Sequence, residues 1–170
     1  NMECVPDRFL KHPWLYKILQ SNIVTDKLVQ LLHRSEVDFL RKNAQFLKYN
    51  AEDWQEIIFM DLQKQYPTGS KFVILTLDMD FMGAGTPKRN YLTQLHEVSE
   101  LKRKYPNTLI PFLSIDPRRA SGKELQKFAE KYITENGFHG LKMYTPLGFF
   151  PFDERLHELY LWAQEKRIPI

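Results

Sequence analysis

The chain has few of the residues and patterns that would place it in a specialised class of protein. It has one cysteine among 170 residues, Cys4, so no internal disulfide framework can form. No apolar run approaches the roughly 18–20 residues that a membrane-spanning helix needs, and no signal-peptide pattern stands at the start. We therefore expect a protein of a reducing, cytoplasmic compartment that does not act on membranes.

Positive charge is in small excess over negative charge. The formal net charge is +3 and is scattered along the chain. The densest basic cluster, at residues 101–104, falls at the end of a predicted helix, where cations offset the helix dipole. Nucleic acid is therefore not an expected partner. A small-molecule substrate is expected, and association between copies of the chain is left open.

Motifs typical of several enzyme classes are missing as well. Gly83-Ala84-Gly85 lacks the third glycine of a dinucleotide-binding motif, and no phosphate-binding P-loop occurs. No serine stands in a G-x-S-x-G elbow. None of the histidines forms an H-x-H or H-E-x-x-H pair, and we expect surface or core positions for them: His12, His33, His96, His139 and His157.

The patterns that are present divide the chain into two regions. Residues 1–69 have apolar residues at helical spacing, which predicts a helical N-terminal region or insertion. Residues 70–170 alternate between strands and helices, which predicts right-handed crossovers and a parallel sheet. The predicted strands are 71–80, 109–116 and 139–144, and the predicted helices are 91–104, 121–136 and 153–166. Residues 167–170 resemble the start of a fourth strand, so we expect a slice of a larger α/β fold, with a complete small α/β protein as the alternative.

Each predicted strand becomes polar toward its carboxyl end. Because side chains alternate between faces, one parity of each strand is apolar and is expected to face the helices, as for Leu75, Leu113 and Met143. The other parity ends in polar residues: Thr76, Asp78, Asp80, Ser114, Asp116, Lys142 and Tyr144. The carboxyl edge of such a sheet is where α/β proteins hold their sites, so we predict a site there.

The aspartates allow more than one role. Asp78 and Asp80 form a D-x-D pair suited to metal binding, polar substrate contacts or proton transfer, and the alternative is a strand end that caps a loop or pairs with a lysine. Asp116 precedes Pro117, which favours turn initiation, although a pocket role is also open. Of the three, Asp80 is the candidate for catalysis.

Lys142 is the most unusual residue of the set, because lysine is depleted from strands and is rarely buried without a partner. Three roles are open. It could form an ion pair with Asp78 or Asp116, serve as an amine of depressed pKa, or be carboxylated and bridge metal ions. Nearby aspartates would favour the charged form and therefore the ion pair.

Residues 137–149, Gly-Phe-His-Gly-Leu-Lys-Met-Tyr-Thr-Pro-Leu-Gly-Phe, resemble the amidohydrolase superfamily. The similarity is closest to its amidohydrolase-related branch, which includes decarboxylases of the aminocarboxymuconate-semialdehyde type. It extends over residues 111–118 and 151–156 and covers about residues 71–170. The glycine-led strand with its lysine and the Pro-Leu-Gly-Phe loop are its most specific parts.

The resemblance implies part of a metal-dependent (β/α)8 TIM barrel, with strands two to four, the start of strand five and a preceding helical insertion. The implied activity is hydrolysis of an amide, ester or lactone-like bond by water activated on a divalent metal, Zn²⁺. A decarboxylase of the same architecture and a non-catalytic ligand-binding module are the alternatives.

The family's metal ligands are an H-x-H on strand one, histidines on strands five and six and an aspartate on strand eight, motifs this chain does not contain. Most ligands are therefore expected outside this segment. Lys142 falls on strand four, where binuclear members carry a carboxylated lysine, so it would be a metal ligand only if carboxylated. Asp80 and Lys142 are the candidate catalytic residues, and the candidate substrate-binding residues are Asp78, Met82, Asp116, Tyr144 and Phe149.

Overall fold

The strand–helix alternation predicted for residues 70–170 is confirmed in the computed structural model, which describes residues 54–170. In chain order the elements are α1 (Gln55–Gln63), β1 (Phe72–Leu75), α2 (Tyr91–Lys104), β2 (Leu109–Ile115), α3 (Gly122–Glu135), β3 (Gly140–Met143) and α4 (His157–Lys166). Short 3₁₀ helices, Thr145–Leu147 and Glu154–Leu156, lie between β3 and α4. The three strands are parallel in the order β1-β2-β3, so this part of the chain is an α/β fold. The helices predicted before residue 54 lie outside the described residues.

The helix boundaries follow from local chemistry. Helix α2 begins after Asn90, whose side chain accepts a hydrogen bond from the Thr93 N–H at 3.0 Å. Helix α3 ends before Gly137, whose φ of +71° suits the residue that follows a helix. The residues from Ser121 to Glu124 match a capping-box pattern, but the Ser121 side chain makes no capping hydrogen bond. Within residues 54–170, no helix is both long and apolar enough to cross a membrane.

The main core lies between one face of the sheet and helices α2, α3 and α4. Each of these helices contributes a fully buried leucine, and the strands contribute Leu113 and Leu141. The helical leucines are Leu95, Leu125 and Leu159. Burying a leucine side chain contributes about 1.5–3 kcal/mol, so this layer holds the helices on a single side of the sheet.

The predicted facing of β1 is wrong, whereas that of β2 is confirmed. Ile74 pairs with Pro111 and packs into the core beneath the helices, while Leu75 pairs with Phe112 and is 55% exposed. The helix-facing parity of β1 is therefore Phe72 and Ile74. Both parities of this strand are apolar before Thr76, so the period of two could not decide which one faces the helices.

Strand β1 ends at Leu75, earlier than predicted, because Thr76 interrupts the ladder. The Thr76 N–H still reaches the Phe112 carbonyl at 3.3 Å, and a parallel ladder would next join the Ser114 N–H to the Thr76 carbonyl. The Ser114 N–H instead donates to the Thr76 hydroxyl at 2.8 Å. The Thr76 carbonyl is thereby left for another donor.

The end of the chain runs beside β3, where a fourth strand is predicted. The Leu141 N–H donates to the Pro169 carbonyl at 2.9 Å, although residues 168–170 are not a regular strand. Gly140 permits this approach: a Cβ built on it would lie 2.8 Å from the Pro169 carbonyl oxygen and 2.4 Å from Cε1 of Phe112. The glycine that leads this strand is therefore explained by packing.

Asp153 begins the last helical segment and gives a prediction on pH. Its carboxylate accepts hydrogen bonds from the Arg155 side chain at 2.8 and 2.6 Å, which lower its pKa from 3.8 to about 2. A depressed pKa contributes stability that is present above the unfolded pKa and is lost as the pH falls through the folded value. We expect Asp153→Asn to cost less than about 1 kcal/mol at pH 7, since the pair is open to water, and the cost to vanish toward pH 2. Urea unfolding at several pH values measures this difference, and a cost that stayed constant down to pH 2 would contradict it.

Candidate functional site

The polar side chains at the carboxyl ends of the strands form two separate groups. The first joins the three aspartates to two arginines beside the N-terminal end of α2. The second consists of Lys142 and Ser114, which pair directly across β2 and β3 on the face opposite Leu113 and Leu141, the face that the helices of residues 54–170 do not cover. Thr76 and Tyr91 lie between the two groups, since Thr76 contacts both Lys142 and Tyr91, and Tyr91 stacks under Arg119.

Arg119 is the centre of the first group. Its guanidinium donates two hydrogen bonds to Asp78, at 2.7 and 2.9 Å, and one to Asp80 at 2.7 Å. It also stacks on the Tyr91 ring, 5.1 Å from the centroid. Asp80 in turn accepts from the Tyr91 N–H at 3.3 Å, which ties the network to the first residue of α2.

Burial and the ion pair act in opposite directions on the charges of this network. Burial is the largest influence on both groups and opposes their charges, raising the pKa of Asp78 against the hydrogen bonds from Arg119 that lower it. For Arg119, the hydrogen bonds to Asp78 and Asp80 outweigh burial and raise its pKa above the usual range. Because an arginine keeps its proton in proteins, Asp78 and Asp80 face a permanent positive charge. Their carboxylates are already satisfied by the protein.

Arg118 engages the third aspartate. Its side chain bonds both oxygens of the buried Asp116 carboxylate, at 2.8 and 2.6 Å, and the Leu147 carbonyl at 3.0 Å. The Asp116 carboxylate also accepts from the Arg118 N–H at 2.9 Å, so it initiates the predicted turn. This contact fixes the loop after β3 to the loop after β2.

Lys142 has no carboxylate partner within the described residues. Its Nζ donates to the Thr76 carbonyl at 3.2 Å and lies 5.0 Å from the centroid of the Tyr144 ring. The predicted ion pair with Asp78 or Asp116 is therefore wrong, because Arg119 and Arg118 occupy those carboxylates. Burial without a counter-ion lowers the pKa of the Lys142 amine.

Ser114 lies beside Lys142 and is only 1% exposed. Its backbone is satisfied on both sides: the N–H donates to the Thr76 hydroxyl, and the carbonyl accepts from the Tyr91 hydroxyl at 2.8 Å. Its Oγ, however, has no hydrogen-bond partner within the described part of the chain. A buried hydroxyl without a partner is costly and calls for an explanation.

An apolar cluster stands at the same edge of the sheet. Met79, Leu147 and Phe149 are buried together, and Met82 packs against them. The structure thus brings together two of the predicted pocket residues, Met82 and Phe149. Tyr144 is 41% exposed at the start of the turn that leads to Leu147.

The described residues do not form a metal centre by themselves. No three histidine, cysteine, aspartate or glutamate side chains within residues 54–170 converge on a point where a metal ion could bind. His96, His139 and His157 are exposed, as expected.

Two contributors to the site were not found from the sequence. The pairing of Arg118 with Asp116 has a local signal, since Asp153 and Arg155 make the same contacts at the same spacing of two. The pairing of Arg119 with Asp78 joins residues 41 positions apart and has no such signal. Comparison of the chain with protein-family models, curated proteins and solved structures gave no significant match.

Proposed function

We propose that the chain supplies part of a metal-dependent hydrolase of the amidohydrolase type, built on a (β/α)8 barrel. The uncovered face of the sheet would form part of the barrel interior, and its carboxyl end would form one wall of the pocket. The observation that carries the proposal is the position of Lys142 on this face, held by one carbonyl and without an anionic partner in residues 54–170.

Three further features support the same proposal. The described helices α2, α3 and α4 pack on the opposite face, as in a βα slice of a barrel. The strands are parallel and in sequential order, which is also the order of barrel strands. The glycine-led strand and the Pro-Leu-Gly-Phe loop, on which the resemblance depends, both have defined packing roles, since Gly140 admits the chain end and Leu147 and Phe149 are buried.

Lys142 is the residue to which we assign a catalytic contact. One of its three donors is used by the Thr76 carbonyl, and one of the remaining two is assigned to the carbonyl oxygen of a substrate. A donor placed there would stabilise the negative charge that develops on that oxygen during hydrolysis. Asp80 is committed to Arg119 and the Tyr91 N–H, so we assign it to support of the site.

The proposed hydrolase depends on a metal ion, and residues other than 54–170 must supply the ligands of that ion. The described residues do not fit a metal centre, and its ligands would come from outside residues 54–170. None of the roles assigned to residues 54–170 requires a metal ion.

The test uses the full-length protein that contains this chain. We expect stoichiometric divalent metal by mass spectrometry, and hydrolysis within a panel of amides, esters and lactones that a chelator removes and Zn²⁺ restores. Lys142→Met should lower kcat/KM by about 10–100-fold, because it removes one donor to the oxygen that becomes negatively charged.

Lys127→Met is the matched control, because Lys127 is exposed on α3, and it should leave kcat/KM unchanged. Carbon dioxide release in place of hydrolysis would favour the decarboxylase. Metal-free protein that binds ligands without turnover would favour the non-catalytic module.

A further inference from the structure

Lys142 and Ser114 both have hydrogen-bond donors that no described residue accepts. The Lys142 ammonium has two donors beyond the one used by the Thr76 carbonyl, and the Ser114 hydroxyl has no partner among the described residues. Both side chains lie on the sheet face that the described helices do not cover, one on each of two paired strands. Lys142 is partly buried there and Ser114 is almost fully buried. Neighbouring strands are separated by about 4.8 Å, so a single small group can contact both side chains.

The surroundings of Lys142 and Ser114 favour an anion as the ligand of this pair. A partly buried ammonium costs free energy unless an opposite charge compensates it. The three aspartates at this edge cannot supply that charge, because Arg118 and Arg119 hold them. The neighbouring polar contact on the same face is the Thr76 carbonyl, which is a neutral acceptor.

We propose that Lys142 and Ser114 form a subsite for an oxyanion, a carboxylate or phosphate group, of a small-molecule ligand. The ammonium supplies the charge and the Ser114 hydroxyl donates one further hydrogen bond. The Tyr144 ring, which already stacks over Lys142, lines the side of the subsite. The buried cluster of Met79, Leu147 and Phe149 would exclude water from the adjoining apolar part of the ligand.

This subsite rests on the proposed function only because both use the same pocket. It adds a class of substrate to the proposed function. A hydrolase with this subsite would act on an amide, ester or lactone that also carries an anionic group. Binding of the anion does not require turnover, so the two proposals can fail independently.

The test is a titration of the full-length protein labelled with ¹³C at the lysine Cε, with the Lys142 signal assigned from Lys142→Met. Acetate, succinate and inorganic phosphate are added at constant ionic strength, with sodium chloride as the matched salt. We expect a saturable shift of the Lys142 signal with at least one oxyanion and not with chloride. The exposed Lys127 should show no saturable shift.

Two variants complete the design. Ser114→Ala should weaken the binding of the same anion by about 2- to 10-fold, as expected for one lost hydrogen bond. Lys142→Met should abolish the rise in Tm that the anion gives to the unsubstituted protein. A stronger response to phosphate than to the carboxylates would identify the oxyanion as a phosphate, and the reverse would identify a carboxylate.

An unsaturable shift, or one equal to that of Lys127 or of chloride, would overturn the proposal. A carboxylate from another part of the chain already seated on Lys142 would produce this same result. Hydrolysis with no anion response would then retain the proposed function and remove only the subsite.

Discussion

Replacing Arg119 by methionine is expected to lower the free energy of unfolding by about 3–5 kcal/mol, the cost of breaking a buried ion pair from one side. Asp78 is 1% exposed and, among the described residues, would keep the Asp80 N–H, at 3.3 Å, as its one hydrogen-bond donor. Asp80 would lose its guanidinium contact at the same time. Urea unfolding followed by circular dichroism measures the change.

Arg155→Met is the matched control for this prediction. Arg155 makes a similar two-point contact with Asp153, but its side chain is 42% exposed, so its loss should cost less than about 1 kcal/mol. Equal costs for the two arginines would contradict the role of burial.

The cost of losing Arg119 should also depend on pH. Burial already raises the pKa of Asp78, and without the guanidinium nothing comparable opposes that rise. A carboxyl whose folded pKa is raised favours the folded state more when it is protonated, so stability increases as the pH falls. The deficit of Arg119→Met relative to the unsubstituted protein should therefore shrink on acidification from pH 7 toward the unfolded pKa of about 4. A deficit that grew on acidification would contradict this assignment.

Gly140→Val is expected to lower the free energy of unfolding by about 3 kcal/mol, at the upper end of the cost of overpacking. The first added carbon alone would lie 2.4 Å from Cε1 of Phe112 and 2.8 Å from the Pro169 carbonyl oxygen. Valine favours strands and glycine weakens them, so strand propensity alone would predict a gain in stability. The sign of the change therefore separates packing from propensity in a single urea titration.

The double variant Phe112→Ala, Gly140→Val tests the cause. Removing the ring relieves one of the two close approaches, so the valine should cost less in this background than in the presence of Phe112. Strictly additive costs would mean that the ring does not oppose the valine. The Pro169 carbonyl remains in both backgrounds and should leave a residual cost.

The helices of residues 70–170 were predictable because their signals are local. An Asn at the start of α2, a glycine after α3 and apolar residues at helical spacing act within one or two turns of chain. The facing of β1 was not predictable, since Phe72 and Ile74 are as apolar as Val73 and Leu75. That choice was made by pairing with β2, a contact between residues 37 positions apart.

The aspartates and the lysine of the candidate site were predictable, whereas the two arginines that pair with the aspartates were not. Asp78, Asp116 and Lys142 all lie at the carboxyl edge, as their positions in the strands predicted. The sequence pattern gave no means of choosing between lysine and arginine as the partner of each aspartate. The choice follows from two loop arginines, whose planar groups can bond both carboxylate oxygens at once whereas a lysine cannot.

The hydroxyl of Thr76 has a consequence for mutational scanning of this protein. By taking the Ser114 N–H, it releases its own carbonyl to Lys142, so the lysine is tethered to main chain. An alanine scan removes side chains beyond Cβ and leaves every carbonyl in place, so it can remove the Lys142 donor or the Thr76 hydroxyl but not the acceptor of this tether. An amide-to-ester substitution between Thr76 and Leu77 would weaken the Thr76 carbonyl as an acceptor, and it would also remove the Leu77 N–H, which donates to the Gln94 side chain at 3.0 Å.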